Sequence, residues 1–523
     1  MQIAGRHLEL GPVFVSHPEA AVAADSRGPA LAALTTGRGD SVEVGVRPVG
    51  GGRFRLVLQN SPSGSGMAPV PPGLPGYREP AGSVSPASAR RASFPGGPRP
   101  AGLLQAAARD GSGSLHIRRI PPALPLPSGI EHGLGAEAAA HTAAATWGLP
   151  DFVFQQAEHA SKGSGRRELG DRLLLAGRRG AVVQVKARTI TPKPDVQEKA
   201  WIQKVAAKAM SQAKGTVRQL RMLPADMVNG RGRTLHVAGD AYEWIAVFLL
   251  DHPRVPDGAQ VAWTPIGMPA IALTRRDWDF LFDQLRSTTA VLDYLFRAAA
   301  TPGIPLNDEP VRYYEFAAAD AAAPPGEIDT DLVGLGGQLH STPLLPQAPA
   351  ASAGTRAHLV IRMVMEDITL SALPDHAGEA DRQAVLADLD SLPVGDREVW
   401  GQLLLDMLDD VVQVPDGDIK WRFRRHLNAQ GTRQTVYACA TRFDESVQAA
   451  FGGYVQLRHH EVGQRTGRGD DLVTTGVMLT PNYGGRRPWD TTMARTWGSS
   501  QLTEDDLAGL NRLWNRQQQP DGA

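Results

Sequence analysis

The feature that most restricts the fold of this sequence is a pair of apolar segments joined by a short turn bounded by glycines. Residues 171–176 (DRLLLA) and residues 181–187 (AVVQVKA) have the length and the apolar content of β-strands. Between them, the residues Gly177-Arg-Arg-Gly180 provide the glycines that tight turns require. The sequence therefore predicts a β-hairpin at this position.

Helical segments flank the hairpin on both sides. Residues 131–147 are rich in alanine, a strong helix former, and Gly148-Leu-Pro150 ends this helix before a strand begins at Phe152. After the hairpin and a proline-marked loop, residues 197–220 have apolar residues at helical spacing. The predicted order is helix, strand, strand with an acid, strand with Gln-x-Lys, and helix.

Two polar residues interrupt the third of these strands. Gln184 and Lys186 are two residues apart, so they point to the same face of a strand, while Val183 and Val185 point to the other. An acid at Asp171 and the amide oxygen of Gln184 are hard donors of the kind that Mg²⁺ prefers. A lysine beside such an ion can activate water or stabilise the charge of a pentavalent phosphate.

The stretch RELGDRLLLAGRRGAVVQVKAR resembles the catalytic hairpin of the PD-(D/E)xK nuclease superfamily, and its Gln-x-Lys form resembles the Mrr-type restriction endonucleases. The resemblance covers residues 130–225. It implies a restriction endonuclease-like α/β core, a mixed sheet flanked by helices. It also implies that Asp171 and Gln184 bind Mg²⁺ or Mn²⁺ and that Lys186 is catalytic. The further glutamate that the family often has on its first helix is Glu137, with Glu131 as a rival.

The sequence departs from the family pattern at one position and leaves the role of several basic residues open. Gln184 is neutral where most members of the family have an acid, so we expect a lower affinity for metal. Arg166 and Arg167, just before Asp171, are either DNA contacts or surface residues. Lys204 and Lys208 on the second helix either contact phosphates of DNA or belong to a solvated helix face.

We divide the chain into five segments. Residues 1–128 are of low complexity and are expected to be largely disordered, apart from one hairpin over residues 42–58, or to be translated from ahead of the true start. Residues 129–225 are the nuclease-like domain, 226–316 an α/β extension packing on it, and 317–354 a linker. Residues 355–523 form a second α/β or α+β block, with strands over 358–363, 434–441, 455–459 and 472–479.

Composition excludes some classes of protein and of site. The formal net charge is −1, which argues against a cationic protein whose whole surface binds nucleic acid. With one cysteine, Cys439, the chain has no internal disulfide and no cysteine-based zinc site. Without a signal peptide or a long apolar run, we expect a cytoplasmic protein that does not enter membranes.

The leading hypothesis is a bacterial, magnesium-dependent DNA endonuclease acting in restriction, repair or defence. The alternative is a catalytically decayed nuclease fold that binds nucleic acid or protein. A third hypothesis is a hydrolase in the C-terminal block with a polar pocket around His459, Asp470 and Asp471. A homodimer, and a protein partner for the C-terminal block, are left open.

Overall fold

The structure is a computed structural model of the 523-residue chain. It describes residues 122–156, 172–263, 267–313, 316, 354–373, 377–392, 397–412, 419–428, 431–482 and 487–515, together with short strands before residue 121. Those early strands are Gln2–Ile3, Arg6–His7, Ala30–Thr35, Ser41–Pro48, Phe54–Asn60, Arg90–Arg91, Leu104–Arg109 and Leu115–Ile120. Ser41–Pro48 and Phe54–Asn60 pair antiparallel, which confirms the hairpin predicted there.

A mixed seven-stranded sheet forms the centre of the region from residue 122 to 313. Its strands are β1 (Val153–Gln156), β2 (Arg172–Ala176), β3 (Arg179–Ala187), β4 (Ala225–Asn229), β5 (Thr234–Val237), β6 (Glu243–Asp251) and β7 (Ala270–Thr274). Their order across the sheet is β5-β4-β1-β2-β3-β6-β7. The pairs β1–β2 and β2–β3 are antiparallel, whereas β3–β6 and β6–β7 are parallel. Strand β3 therefore joins an antiparallel half to a parallel half.

Helices cover both faces of this sheet, as the α/β class predicts. They are α1 (His132–Trp147), α2 (Asp195–Met222), α3 (Arg275–Leu285) and α4 (Thr288–Ala299). The alanines of α1 pack in one core with Ala181, Val183 and Val185 of β3. The apolar face of α2 packs in a second core with Val182 of β3 and with Phe248 and Leu250 of β6. The two cores lie on opposite faces because strand side chains alternate.

The C-terminal block is built on a four-stranded sheet. Its elements are α5 (Gly354–Leu370), α6 (Glu379–Asp390), α7 (Arg397–Val412), β8 (Trp421–Leu427), β9 (Arg433–Ala440), α8 (Glu445–Thr466), β10 (Val473–Pro481), β11 (Trp489–Trp497) and α9 (Glu504–Asn515). The strands at 434–441 and 472–479 are confirmed. The strands predicted at 358–363 and 455–459 are wrong, because these residues lie inside the helices α5 and α8.

The two regions pack against each other. One apolar core contains residues of α1 and β3 as well as residues of α5, α6, α7, β9 and β10. Polar contacts cross the same boundary: Arg231 pairs with Asp151 at 2.7 Å and with Glu366 at 2.5 Å. The amide of Gln383 on α6 donates to the Leu175 carbonyl of β2 at 3.0 Å. The hairpin is therefore held from the C-terminal block as well as from its own sheet.

Candidate functional site

The β2–β3 hairpin positions the residues that the sequence singled out. Gly177 has φ +59, the left-handed conformation needed at the first central position of a type II′ turn. A Cβ added at Gly180 would lie 2.7 Å from the Trp244 ring of β6, so only glycine allows this close approach. Parallel pairing then sets Gln184 beside Phe248 and Lys186 beside Leu250.

Gln184 and Lys186 share a face of β3, as the sequence predicted. Val183 and Val185, which alternate with them along β3, pack in the core with α1. Gln184 and Lys186 therefore lie on the α2 side of the sheet. Gln184 is buried, with 3% of its surface exposed, and Lys186 is partly exposed. The Lys186 Nζ donates to the Gln184 Oε1 at 3.3 Å. One amide oxygen and one ammonium group thus meet near the carboxyl end of the central strand.

Three of the predicted site residues lie outside the described residues. They are Asp171, which precedes β2 directly, and the pair Arg166 and Arg167. Their roles in metal binding, catalysis and DNA binding remain predictions.

Glu137 lies on the other side of the sheet from Gln184 and Lys186. It belongs to α1, and its charge acts on Arg172 of β2. Arg172 is held close to the ring Nδ1 of His141 on α1 at 2.7 Å and donates to Gln155 Oε1 at 3.2 Å. Glu137 lies on α1, whereas Gln184 faces α2, so this geometry does not favour a metal ion shared by the two, and the metal-binding role of Glu137 stays a prediction. Strand alternation is what turns Gln184 away from α1.

Glu131, the rival to Glu137, has a structural role. Its side chain accepts hydrogen bonds from the backbone N–H groups of Gly133 and Leu134 at 3.0 and 3.1 Å. These bonds cap the N-terminus of α1 and lower the pKa of the Glu131 carboxyl.

Burial gives the group around Arg172 an unusual protonation state. The partly buried ring of His141 has its pKa lowered to about 4, first by desolvation and then by the positive charge of Arg172. His141 is therefore neutral near pH 7 and available as an acceptor for the guanidinium.

A buried ionic network lies on the α2 side of the sheet, beginning one residue beyond the end of β3. Glu198, in the first turn of α2, accepts from Arg188 at 3.0 and 2.6 Å and lies 2.9 Å from the His252 Nε2. It also accepts from the backbone N–H of Lys193 at 2.7 Å. The hydrogen bonds from Arg188, followed by that from His252, lower the pKa of Glu198 to about 2. The Arg188 guanidinium stacks on Trp201, with its carbon 4.6 Å from the ring centroid.

This network was not predicted from the sequence, although a signal was present. Glu198 lies one helical turn before Ile202 on the apolar side of α2, where an acid requires a buried partner. Arg188 lies two residues after Lys186, which places it on the same face of the chain. The network fixes the N-terminus of α2 against the ends of β3 and β6, immediately beyond Lys186.

The remaining candidates are structural residues or exposed ones. Lys204 and Lys208 lie on the exposed side of α2. His459 is buried in α8, 2.9 Å from the Thr474 hydroxyl and 2.7 Å from the Gly498 carbonyl. Asp470 accepts from the hydroxyl of Ser499. Burial raises the pKa of the Cys439 thiol, as expected of a core cysteine.

The part of the chain that the structure describes contains no ready-made cluster of the usual metal ligands. Within it, no group of three or more His, Cys, Asp or Glu side chains converges on one point. Gln184 offers an oxygen donor beside Lys186, and the predicted metal ion there also requires Asp171. None of the described helices is both long and apolar enough to cross a membrane.

Comparisons with known proteins give no family for this chain. No protein-family model matches it, and neither the curated proteins nor the solved structures that were searched provide a match.

Proposed function

We propose that this protein is a magnesium-dependent endonuclease-like enzyme that hydrolyses DNA phosphodiester bonds in restriction, repair or defence. The observation that carries the proposal is the contact between Lys186 Nζ and Gln184 Oε1 on the central strand β3. The chain order around this strand supports it, since α1, the antiparallel strands β1 to β3, and α2 follow one another as in the predicted nuclease order.

A metal ion at this position would be held by Asp171 and Gln184. Both groups offer hard oxygen, which suits Mg²⁺ or Mn²⁺. When bound, the ion would neutralise phosphate charge and supply an activated water.

Lys186 supplies the fixed positive charge of the proposed site. Its Nζ is held at 3.3 Å from Gln184 Oε1, and an ammonium group beside a metal-bound phosphate would stabilise the negative charge that develops on it. The network of Arg188, Glu198 and His252 holds the end of the same strand and limits its movement. The proposal therefore assigns charge stabilisation or water activation to Lys186, and metal binding to Asp171 and Gln184.

Nicking of supercoiled plasmid tests the proposal. The purified protein should nick plasmid in Mg²⁺, and Asp171→Ala or Lys186→Ala should each slow nicking on the order of 10²-fold or more. Matched controls are Asp226→Ala and Lys420→Ala, which remove an exposed acid and a partly exposed lysine away from the hairpin. These controls should nick at the wild-type rate. Equal nicking by all four variants would refute the assignment.

A second candidate function is a decayed nuclease fold that binds DNA without cutting it. Two observations favour it: Gln184 is neutral, and its Oε1 already accepts a hydrogen bond from Lys186. Wild-type protein that binds DNA but does not nick it in Mg²⁺ or Mn²⁺ would establish this alternative. Protein that neither binds nor nicks would instead make the hairpin a scaffold.

A further inference from the structure

The outer face of α2 carries a concentration of positive charge. From residue 199 to residue 222 the helix contains six cationic residues and no Asp or Glu. They are Lys199, Lys204, Lys208, Lys214, Arg218 and Arg221. The whole chain has a formal net charge of −1, so this charge is local. We call these six residues the α2 basic face.

All six members of the α2 basic face are exposed. The opposite side of the helix, which includes Ile202, Ala209 and Val217, is buried against the sheet. At about 1.5 Å per residue, the distance from Lys199 to Arg221 along the helix is about 33 Å. The cations therefore form an exposed strip along the full length of α2, spread over about half of its circumference.

Acidic neighbours offset little of this charge. Arg221 forms an ion pair with Asp240 at 3.6 Å, and both side chains are at least half exposed. At the other end, Asp195 is paired with Arg254 at 3.0 Å, also on the surface. Exposed pairs of this kind are weak and are screened by salt. The strip as a whole remains strongly positive.

The composition of the strip distinguishes among polyanions. Single-stranded nucleic acids are usually bound by exposed aromatic rings on which bases stack, and α2 exposes none, since its one aromatic residue, Trp201, is partly buried against Arg188. Helices that bind membrane surfaces combine cations with bulky apolar residues, whereas the apolar side of α2 is buried in the core. A length of about 33 Å equals about one turn of duplex DNA, with phosphates spaced along it.

We propose that the α2 basic face binds the phosphate backbone of duplex DNA without reading its sequence. The inference rests on the proposed function in one respect: the bound duplex would be the substrate delivered to Lys186. The N-terminus of α2 is fixed to the carboxyl end of β3 through Glu198 and Arg188, so a DNA backbone that follows the strip would approach the end of the strand that carries Gln184 and Lys186. The strip then positions the duplex, and the hairpin acts on it.

The test is the binding of a fluorescent 20-base-pair duplex, measured by anisotropy in EDTA over a series of salt concentrations. EDTA prevents cleavage, so binding is measured separately from nuclease activity. The test variant carries Lys204→Gln, Lys208→Gln, Lys214→Gln and Arg218→Gln. Glutamine keeps a similar helix propensity, and unchanged circular dichroism would confirm that the helix persists. The control variant removes the same charge from the C-terminal block through Arg424→Gln, Arg442→Gln, Arg465→Gln and Arg512→Gln.

The test variant should bind at least about tenfold more weakly than the wild type. The slope of the logarithm of the binding constant against the logarithm of the salt concentration should become shallower by about 0.9 for each phosphate contact removed. The control variant should bind like the wild type. Equal weakening in both variants, an undiminished slope in the test variant, equal affinity for a single strand, or preference for phosphatidylserine vesicles would overturn the inference.

These outcomes separate the inference from the proposed function. If the protein nicks plasmid in Mg²⁺ but the test variant binds DNA as tightly as the wild type, the inference fails and the nuclease proposal stands. If the test variant loses binding and the wild type never nicks, the nuclease proposal fails and the inference stands.

Discussion

The two faces of the β2–β3 hairpin carry polar groups of opposite character. On the α2 side, Glu198 is fully buried and is surrounded by Arg188, His252 and a backbone N–H, so its charge is matched. On the α1 side, Arg172 lies against the ring of His141, and the charge of Glu137 also acts on it. The pKa of Glu198 is lowered by favourable hydrogen bonds, whereas the pKa of His141 is lowered by burial and by repulsion.

This difference shows how one hairpin can serve two purposes. On the α2 side, the paired charges of Glu198 and Arg188 hold the end of the strand that carries Gln184 and Lys186. A rigid site requires support of this kind. The α1 side keeps a neutral histidine as an acceptor for a cation, and its stability must therefore depend on pH. The following predictions test this contrast, beginning with the largest expected effect.

Removing the acid of the buried network should cost the most stability. Glu198→Ala leaves Arg188 and His252 buried without their partner, so we expect the free energy of unfolding to fall by about 3–5 kcal/mol. Urea unfolding measures this loss. Asp195→Asn, in the same first turn of α2 but in an exposed ion pair, should cost less than about 1 kcal/mol. Similar losses in both variants would contradict a special role for the buried network.

Stability on the α1 side should decrease as the pH falls. The pKa of His141 is about 4 in the folded chain and 6.5 as its ordinary value, so between these values the unfolded chain binds the proton first. The free energy of unfolding should therefore fall by about 2 kcal/mol from pH 6.5 to pH 4, and His141→Gln should remove this dependence.

The measurement is the difference in urea unfolding between wild type and His141→Gln at several pH values. Burial raises the pKa of Asp279 to about 6, which works in the opposite direction, but Asp279 is present in both proteins and cancels in the difference. A difference that stays constant from pH 6.5 to pH 4 would show that His141 does not titrate as described.

The smallest expected effect concerns Glu137. Because it lies on the α1 side, Glu137→Gln should change the rate of plasmid nicking less than about twofold, which corresponds to less than about 0.5 kcal/mol. The concentration of Mg²⁺ for half-maximal nicking should stay the same. An increase in that concentration would show that Glu137 contributes to metal binding although it lies on the α1 side.

Local patterns in the sequence were sufficient to predict much of the first region. The alanines of α1, the turn at Gly177 and the two-residue spacing of Gln184 and Lys186 are all short-range signals, and the structure has each of these elements in place. The neighbour of β3 was not predicted, because the parallel pairing with β6 joins residues far apart in the chain. The buried network was not predicted for the same reason, since Glu198 and His252 are far apart in the chain and meet only in the folded protein.

The errors in the C-terminal block have local causes. The apolar run from residue 358 to 363 predicts a strand, yet Ala357, Val360, Ile361 and Val364 are buried at helical spacing. The segment 455–459 follows Gly452 and Gly453, which lower the apparent helix propensity. Gly453 lies against α9, and a Cβ there would require the Leu510 side chain, 2.6 Å away, to move.

The position of β3 between antiparallel and parallel neighbours also has a consequence for biosynthesis. The β2–β3 hairpin leaves the ribosome early, but β6 follows only after α2 and the β4–β5 hairpin have been translated. Until then, one edge of β3 offers its backbone to any extended chain nearby, which is a route to aggregation. Because β6 pairs with every residue from Arg179 to Ala187, a nascent chain halted before residue 243 would contain the Gln-x-Lys strand with that edge unsealed.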